Sequence, residues 1–238
     1  MEALYLDDSY LKEFEAKVIS VAKGGDDKWF IVLDQTAFYP NSGGQPHDEG
    51  KLVKDGEAYP IVFVGKFSGK ISHETNKEGL KEGDSVKGVI DWERRYTLMR
   101  MHTAAHVLSG IIEKHTGALM TGNQLGLDRS RLDLNVAEFD KEKMIEYIKE
   151  SNDAIDKDLP IEVSYMPMEQ ALKDKSLFKL ANKLPPTVKN LRIVDIVGCV
   201  READGGTHVK SLKEVGKISF LKADNKGKNN RRVYFKLD

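Results

Sequence analysis

Around Asp91 the spacing of apolar residues changes, and that change sets what this chain can fold into. Upstream of it, short apolar runs are separated by turn residues. Lys17 to Val21 and Trp29 to Leu33 flank Gly24-Gly25-Asp26-Asp27, and Lys51 to Lys54 and Tyr59 to Val64 flank Asp55-Gly56, a favoured hairpin dipeptide. Val86 to Asp91 adds another strand. Residues 1–91 are therefore expected to form a small β-barrel-like domain or rolled sheet. Downstream, Leu98, Met101, Ala105, Leu108 and Ile112 follow one another at three- and four-residue steps, which marks one face of an amphipathic helix. Its end is expected at His115-Thr116-Gly117, with Gly117 in the left-handed C′ position and His115 near the last carbonyls.

A second helix is expected from Asp140 as N-cap, with Phe139 and Met144 as a hydrophobic staple and Ile145, Ile148 and Ile155 on its apolar face. Pro160 introduces an extended stretch, Ile161 to Tyr165, and a shorter helix, Met168 to Leu180, precedes Pro185-Pro186. Leu191 to Val200 reads as one buried strand, and Lys217 to Lys222 with Arg232 to Leu237 as a hairpin around a polar loop, Asp224 to Asn230. Residues 92–238 are thus expected to be an α+β domain, and the chain as a whole α+β.

Two histidines, His102 and His106, lie one turn apart on the long helix, beside its apolar stripe. A pair at this spacing is common by chance, and two partly buried, hydrogen-bonded histidines explain it as well as a metal does. A third candidate follows the buried strand in Asp204-Gly205-Gly206-Thr207-His208, where two glycines permit a tight turn that aims Asp204 and His208 at one point. The loop Phe38 to Pro46 holds Gly43-Gly44-Gln45, alone a weak signal. The single cysteine, Cys199, excludes an intrachain disulfide and fits a reducing compartment. It lies in the apolar run and reads as a small buried hydrophobe.

Taken in order, "TAFYPNSGGQPHDEG" from Thr36, "RRYTLMRMHTAAHVLSG" from Arg94 and "GGTHVKSLKEVG" from Gly205 resemble the editing domain of alanyl-tRNA synthetase and its free-standing AlaX relatives. Gln124-Leu125-Gly126 and Arg131 to Leu134 are similar to the stretch between that family's two metal motifs, so the resemblance spans roughly residues 15 to 220. It implies an editing domain of the alanyl- and threonyl-tRNA synthetase type. The implied activity is a trans-editing deacylase that hydrolyses serine, and sometimes glycine, from alanine tRNA. With no room for a synthetase activation domain, the chain is expected to edit without charging.

The resemblance further implies one zinc ion at His102, His106 and His208. Three protein ligands leave a position open for ester chemistry. Where the family has Cys, this chain has Asp204: a fourth ligand, the reading preferred here, or a residue orienting the site from behind, or the mark of weakened metal binding. Where synthetase editing domains commonly have Thr, it has Ala105, so the hydroxyl contact to serine falls to Thr36, Thr103 or Gln124. The resemblance places Gln45, with Thr36, Thr103 and Gln124, among the expected catalytic residues, and Gly43, Gly44, Gly205 and Gly206 against the substrate.

Lys and Arg number 37 and Asp and Glu 38, so tRNA contact needs a local basic patch. Candidates are Arg94, Arg95, Arg100, Arg129, Arg131, Lys210, Lys213 and the tail Lys226, Lys228, Arg231 and Arg232, the last cluster preferred. No apolar run approaches the ~20 residues that span a bilayer, and the start lacks a signal peptide, so a cytoplasmic location without membrane contact is expected. Monomer and dimer both stay open. The alternatives are a non-catalytic tRNA or aminoacyl-tRNA binding module with incomplete metal coordination, and a metal hydrolase acting on another aminoacyl ester.

Overall fold

The computed structural model describes residues 2–136, 140–179 and 188–238. The fold is α+β and divides into two compact units, Met1–Leu98 and Met99–Asp238.

The first unit is built on a seven-stranded antiparallel sheet, with a short parallel pair, Glu2–Ala3 and Gln35–Thr36, beside it. The spatial order of the sheet is Glu57–Ile61, Gly50–Lys54, Ser85–Ile90, Glu13–Lys23, Trp29–Leu33, Lys70–Thr75 and Phe63–Phe67. The central strand is long because it serves two partners, Ser85–Ile90 along its first half and Trp29–Leu33 along its second. Phe14, Ala16 and Val18 turn inward while Glu13, Glu15 and Lys17 face out, the two-residue alternation of a sheet covered on one side. The predicted run Tyr59 to Val64 is not one strand. The chain breaks at Val62, whose N–H donates to Glu74 O at 3.0 Å, and its halves become the two edges of the sheet. That break curls the sheet into a half-barrel. Pro60, which lacks the N–H of an interior strand, sits on the edge strand. Asp55 and Gly56 both take positive φ, at 49° and 83°, as the predicted tight hairpin requires.

Arg95 is fully buried in this unit and paired with the equally buried Asp48. Its Nε lies 2.9 Å from Asp48 Oδ1 and its Nη1 donates to Ser9 O at 2.9 Å. A guanidinium so enclosed has no face for a phosphate, which corrects the expectation for Arg95.

In the second unit the long helix α1 (Trp92–Thr116) ends as predicted, with Gly117 at φ 69° and its N–H on Glu113 O. Leu98, Met101, Ala105, Leu108 and Ile112 are all buried, but so are Met99, Ala104, Val107 and Ile111. α1 is covered on all sides from 101 to 112, so His102 and His106 lie inside the core and not at its margin. His115 bonds Glu150 at 2.5 Å and stacks on Tyr147 instead of facing the terminal carbonyls.

Helix α2 (Lys141–Asp156) is capped by Asp140, which accepts from the N–H of Glu142 and Lys143. Met144, Ile148 and Ile155 face inward, while Ile145 is half exposed. Phe139, the predicted staple partner, lies outside the described residues. The predicted helix Met168 to Leu180 is a single turn, Met168–Ala171, followed by the 3-10 turn Lys175–Leu177. Asp174 diverts the chain there by accepting the Ser176 N–H at 3.0 Å. Leu180, Pro185 and Pro186 lie outside the described residues.

A three-stranded sheet, Ile161–Pro167, Asn190–Ile196 and Val200–Ala203, and a four-stranded sheet complete the unit. The latter runs Met120–Gln124, Ser130–Leu134, Arg231–Leu237, Ile218–Asn225. The predicted strand Leu191 to Val200 is two antiparallel strands joined by a turn at Gly198, φ 78°. Cys199 sits in that turn, half buried, with burial pushing its thiol up.

Candidate metal centre

The turn of α1 at His102 faces the end of the strand Val200–Ala203. His102 Nε2 and His106 Nε2 come within 3.0 Å of each other. As the strand runs out, Asp204 and His208 enter the same space. Asp204 Oδ2 lies 3.1 Å from His208 Nε2, and Asp204 Oδ1 lies 3.6 and 3.8 Å from the Nε2 atoms of His102 and His106. One donor atom from each of the four residues lies within 4.8 Å of every other. Two ligands on a tetrahedral zinc, each about 2.0 to 2.2 Å from it, stand about 3.3 Å apart, a value these separations bracket.

The atoms behind the cluster orient it. His106 Nδ1 lies 2.8 Å from the buried Glu202 carboxylate and donates to it. His208 Nδ1 shares a hydrogen bond of 3.1 Å with Thr103 Oγ1, which also accepts the Val209 N–H. Both imidazoles thus present Nε2 to the centre, the arrangement a bound cation needs. His102 Nδ1 is buried without a hydrogen-bond partner among the described residues. Arg192 clasps the turn, its Nη1 donating to Asp204 O at 3.0 Å and Gly206 O at 3.1 Å. Gly206 N–H donates to Asp204 Oδ2 at 2.5 Å.

Electrostatics divide the three histidines. Burial pushes His106 down, but the Glu202 carboxylate reverses that and holds it at about 9. Burial dominates at His102, held well below its ordinary value, and at His208, held at about 4. Burial opposes the Asp204 carboxylate, yet the three histidines keep it ionised, well below its usual value. A pocket with two carboxylates that draws in a proton is suited to a divalent cation. The residues present therefore fit a metal.

The structure gathers His102, Thr103, His106, Asp204, Gly205, Gly206 and His208 together. Gly205 does not use a left-handed φ. Thr36, Gly43, Gly44 and Gln45 belong to the first unit. Thr36 is buried there, its hydroxyl 2.8 Å from His73 Nε2 and accepting the Phe38 N–H. Gly43 and Gly44, at φ 60° and 87°, turn the loop so that Ser42 and the buried Gln45 bond through their backbones. Gln124 is exposed on the four-stranded sheet and accepts from Arg131 Nε at 3.1 Å. Sequence reasoning missed Glu202 and Arg192. The signal for Glu202 was its two-residue spacing from Val200 and Asp204, obscured by reading Leu191 to Val200 as one strand.

Residues 8–94 match the family model described as tRNA synthetases class II (A). Residues 191–234, which include the Asp204 turn and Glu202, match the one described as threonyl and alanyl tRNA synthetase second additional domain. Fold and site together define a protein of the class built on that additional domain. The chain is 51% identical over 243 residues to the alanyl-tRNA editing protein AlaX-M of Methanosarcina barkeri, covering 99% of this chain and 98% of that one. It is 41% identical to the AlaX-M protein of Saccharolobus solfataricus, covering 98% of each. It is 36% identical to the alanine–tRNA ligase of Pyrococcus furiosus, over 98% of this chain but 25% of the ligase. The chain belongs to the AlaX family of alanyl-tRNA editing proteins.

Proposed function

We propose that this aminoacyl-tRNA deacylase hydrolyses misacylated alanine tRNA, carrying serine or glycine, at one zinc ion held by His102, His106, Asp204 and His208. The observation that carries the reading is the convergence of these four donors within 4.8 Å, backed by Glu202 and Thr103. A second hydrolytic site is useful for this tRNA because a pocket that accepts alanine rejects serine by too little free energy. Zinc bound there would supply Lewis-acid polarisation for cleavage of the ester.

The chain's own residues do the rest. Glu202 keeps the His106 proton on Nδ1, Thr103 fixes the His208 ring, and Arg192 holds the turn that carries Asp204. Asp204, with a side chain 17% exposed, is the most open of the four ligands, so substrate approaches from its side. In this reading Gly205 and Gly206 let backbone close on the 3′ end, and Thr103 and Gln124 are the candidates within this unit for the serine hydroxyl. Among the described residues no helix is long and apolar enough to cross a membrane, in keeping with a cytoplasmic role.

The test is deacylation of seryl-alanine tRNA by the wild type and by His102→Ala, with bound metal measured in both. Loss of metal and of hydrolysis together supports the reading. Undiminished hydrolysis in the variant overturns the metal mechanism, and tight tRNA binding without hydrolysis of any aminoacyl ester favours a binding module.

A further inference from the structure

The four-stranded sheet has one buried face and one open face. Leu132, Leu134, Val233 and Phe235 are buried on the inner side. Alternation sends the intervening residues outward. Arg131, Tyr234 and Lys222 lie directly opposite one another across three adjacent strands, forming a row on the outer face. Lys222 Nζ sits 4.7 Å from the centre of the Tyr234 ring, and the exposed Arg129, on the loop before Ser130–Leu134, reaches to 5.9 Å from it. Beside this row is a groove of about 400 Å³, lined also by Arg232.

The charges here are unevenly used. Arg232 is neutralised by Asp133, bonded at 2.6 and 2.9 Å. Lys222 pairs with both oxygens of the neighbouring Asp224, at 3.2 and 3.1 Å, yet 54% of its side chain stays exposed, so a phosphate can compete for it. Arg129 has no acidic partner within ion-pair distance among the described residues, and Arg131 approaches Asp133 only to 3.7 Å. Two long, solvated cations over one aromatic ring, with a third beside it, match a polymer that alternates phosphates with flat bases. A base can displace the flexible cations from the ring face, and the cations can then neutralise the phosphates on either side.

We infer that this open face, centred on Tyr234, is a docking platform for the tRNA substrate, with Arg129, Arg131 and Lys222 on the backbone and Tyr234 stacking on an unpaired base. The inference rests on the editing reading above and adds the surface that holds the RNA.

The experiment measures binding of a labelled alanine tRNA transcript across a salt series. It compares the wild type, Arg129→Glu/Lys222→Glu, Tyr234→Ala and Tyr234→Phe, with Lys66→Glu/Lys70→Glu in the first unit as a control. The charge reversal should raise Kd at least about tenfold and flatten the slope of log K against log salt by about two. Tyr234→Ala should weaken binding about tenfold, and Tyr234→Phe should restore it because the ring is kept. The control should bind as wild type. On full seryl-tRNA the charge reversal should raise KM and leave kcat unchanged, and on a short seryl-ester substrate it should change neither.

Unchanged Kd and salt slope in variants that still hydrolyse seryl-tRNA overturn the platform and leave the editing function standing. A wild type that neither binds nor hydrolyses the tRNA removes both. Competition by polyglutamate equal to that by RNA overturns the platform in favour of an acidic protein partner.

Discussion

Glu202 and His106, from a strand and a helix 96 residues apart in sequence, share a buried hydrogen bond of 2.8 Å between carboxylate and Nδ1. The carboxylate fixes which nitrogen of His106 faces the candidate metal centre and raises its basicity. Glu202→Gln keeps the shape but loses the charge, and metal affinity should fall about 10- to 100-fold. Competition against a chelator of known affinity measures this, and equal affinity in the two proteins would falsify the orienting role of Glu202.

In the proposed site Asp204 would supply an oxygen ligand at the position where the resembling family motif carries sulfur. Asp204→Cys should increase affinity for cadmium relative to zinc and give the cobalt-loaded protein a thiolate charge-transfer band that the wild type lacks. Asp204→Ala should weaken zinc binding by about tenfold or more. If it leaves zinc affinity untouched, Asp204 is outside the coordination sphere.

The pair Arg95–Asp48 predicts a stability effect in the first unit, away from the metal residues in sequence. Both side chains are fully buried. Removing one leaves the other charged without a partner, so Arg95→Ala should cost about 3 to 5 kcal/mol in urea unfolding. The double variant Arg95→Met/Asp48→Leu should regain much of that loss. A single variant within about 1 kcal/mol of wild type contradicts the pairing.

His73 gives a pH signature. It is fully buried between Thr36 Oγ1 and Ile31 O, and burial holds it at about 4. In the unfolded chain its value is about 6.5, so between those limits the unfolded state binds more protons. Its stabilising contribution is whole above pH about 6.5 and falls as the solution is acidified, by about 3 kcal/mol once pH is below about 4. The stability gap between wild type and His73→Phe should close by that amount between pH 7 and pH 4. A gap that stays constant would mean that His73 is not held neutral.

The long helix was legible in sequence because apolar side chains recur at its period, and its end was legible because Gly117 can take a positive φ. What the period could not reveal was how much surrounds α1: small residues such as Ala104 and Thr103 carry no strong signal, yet both are fully buried. The half-barrel was visible as strands and turns, but its curl depends on the break at Val62, which apolar patterning does not mark. The four residues of the cluster announced themselves through two short motifs. Glu202 did not, because a turn at Gly198 resets the strand's phase, and only with that phase does an acidic residue two before Asp204 point inward.

The position of Cys199 bears on how the site would age. The chain's one sulfhydryl lies in a turn outside the four-residue cluster, so a metal held there would rest on nitrogen and oxygen alone. Peroxide converts a thiolate to sulfenic acid and higher oxides, stripping it from any metal it holds. This centre offers no thiolate for that reaction, and proofreading built on it would continue through oxidative stress that disarms a sulfur-ligated relative.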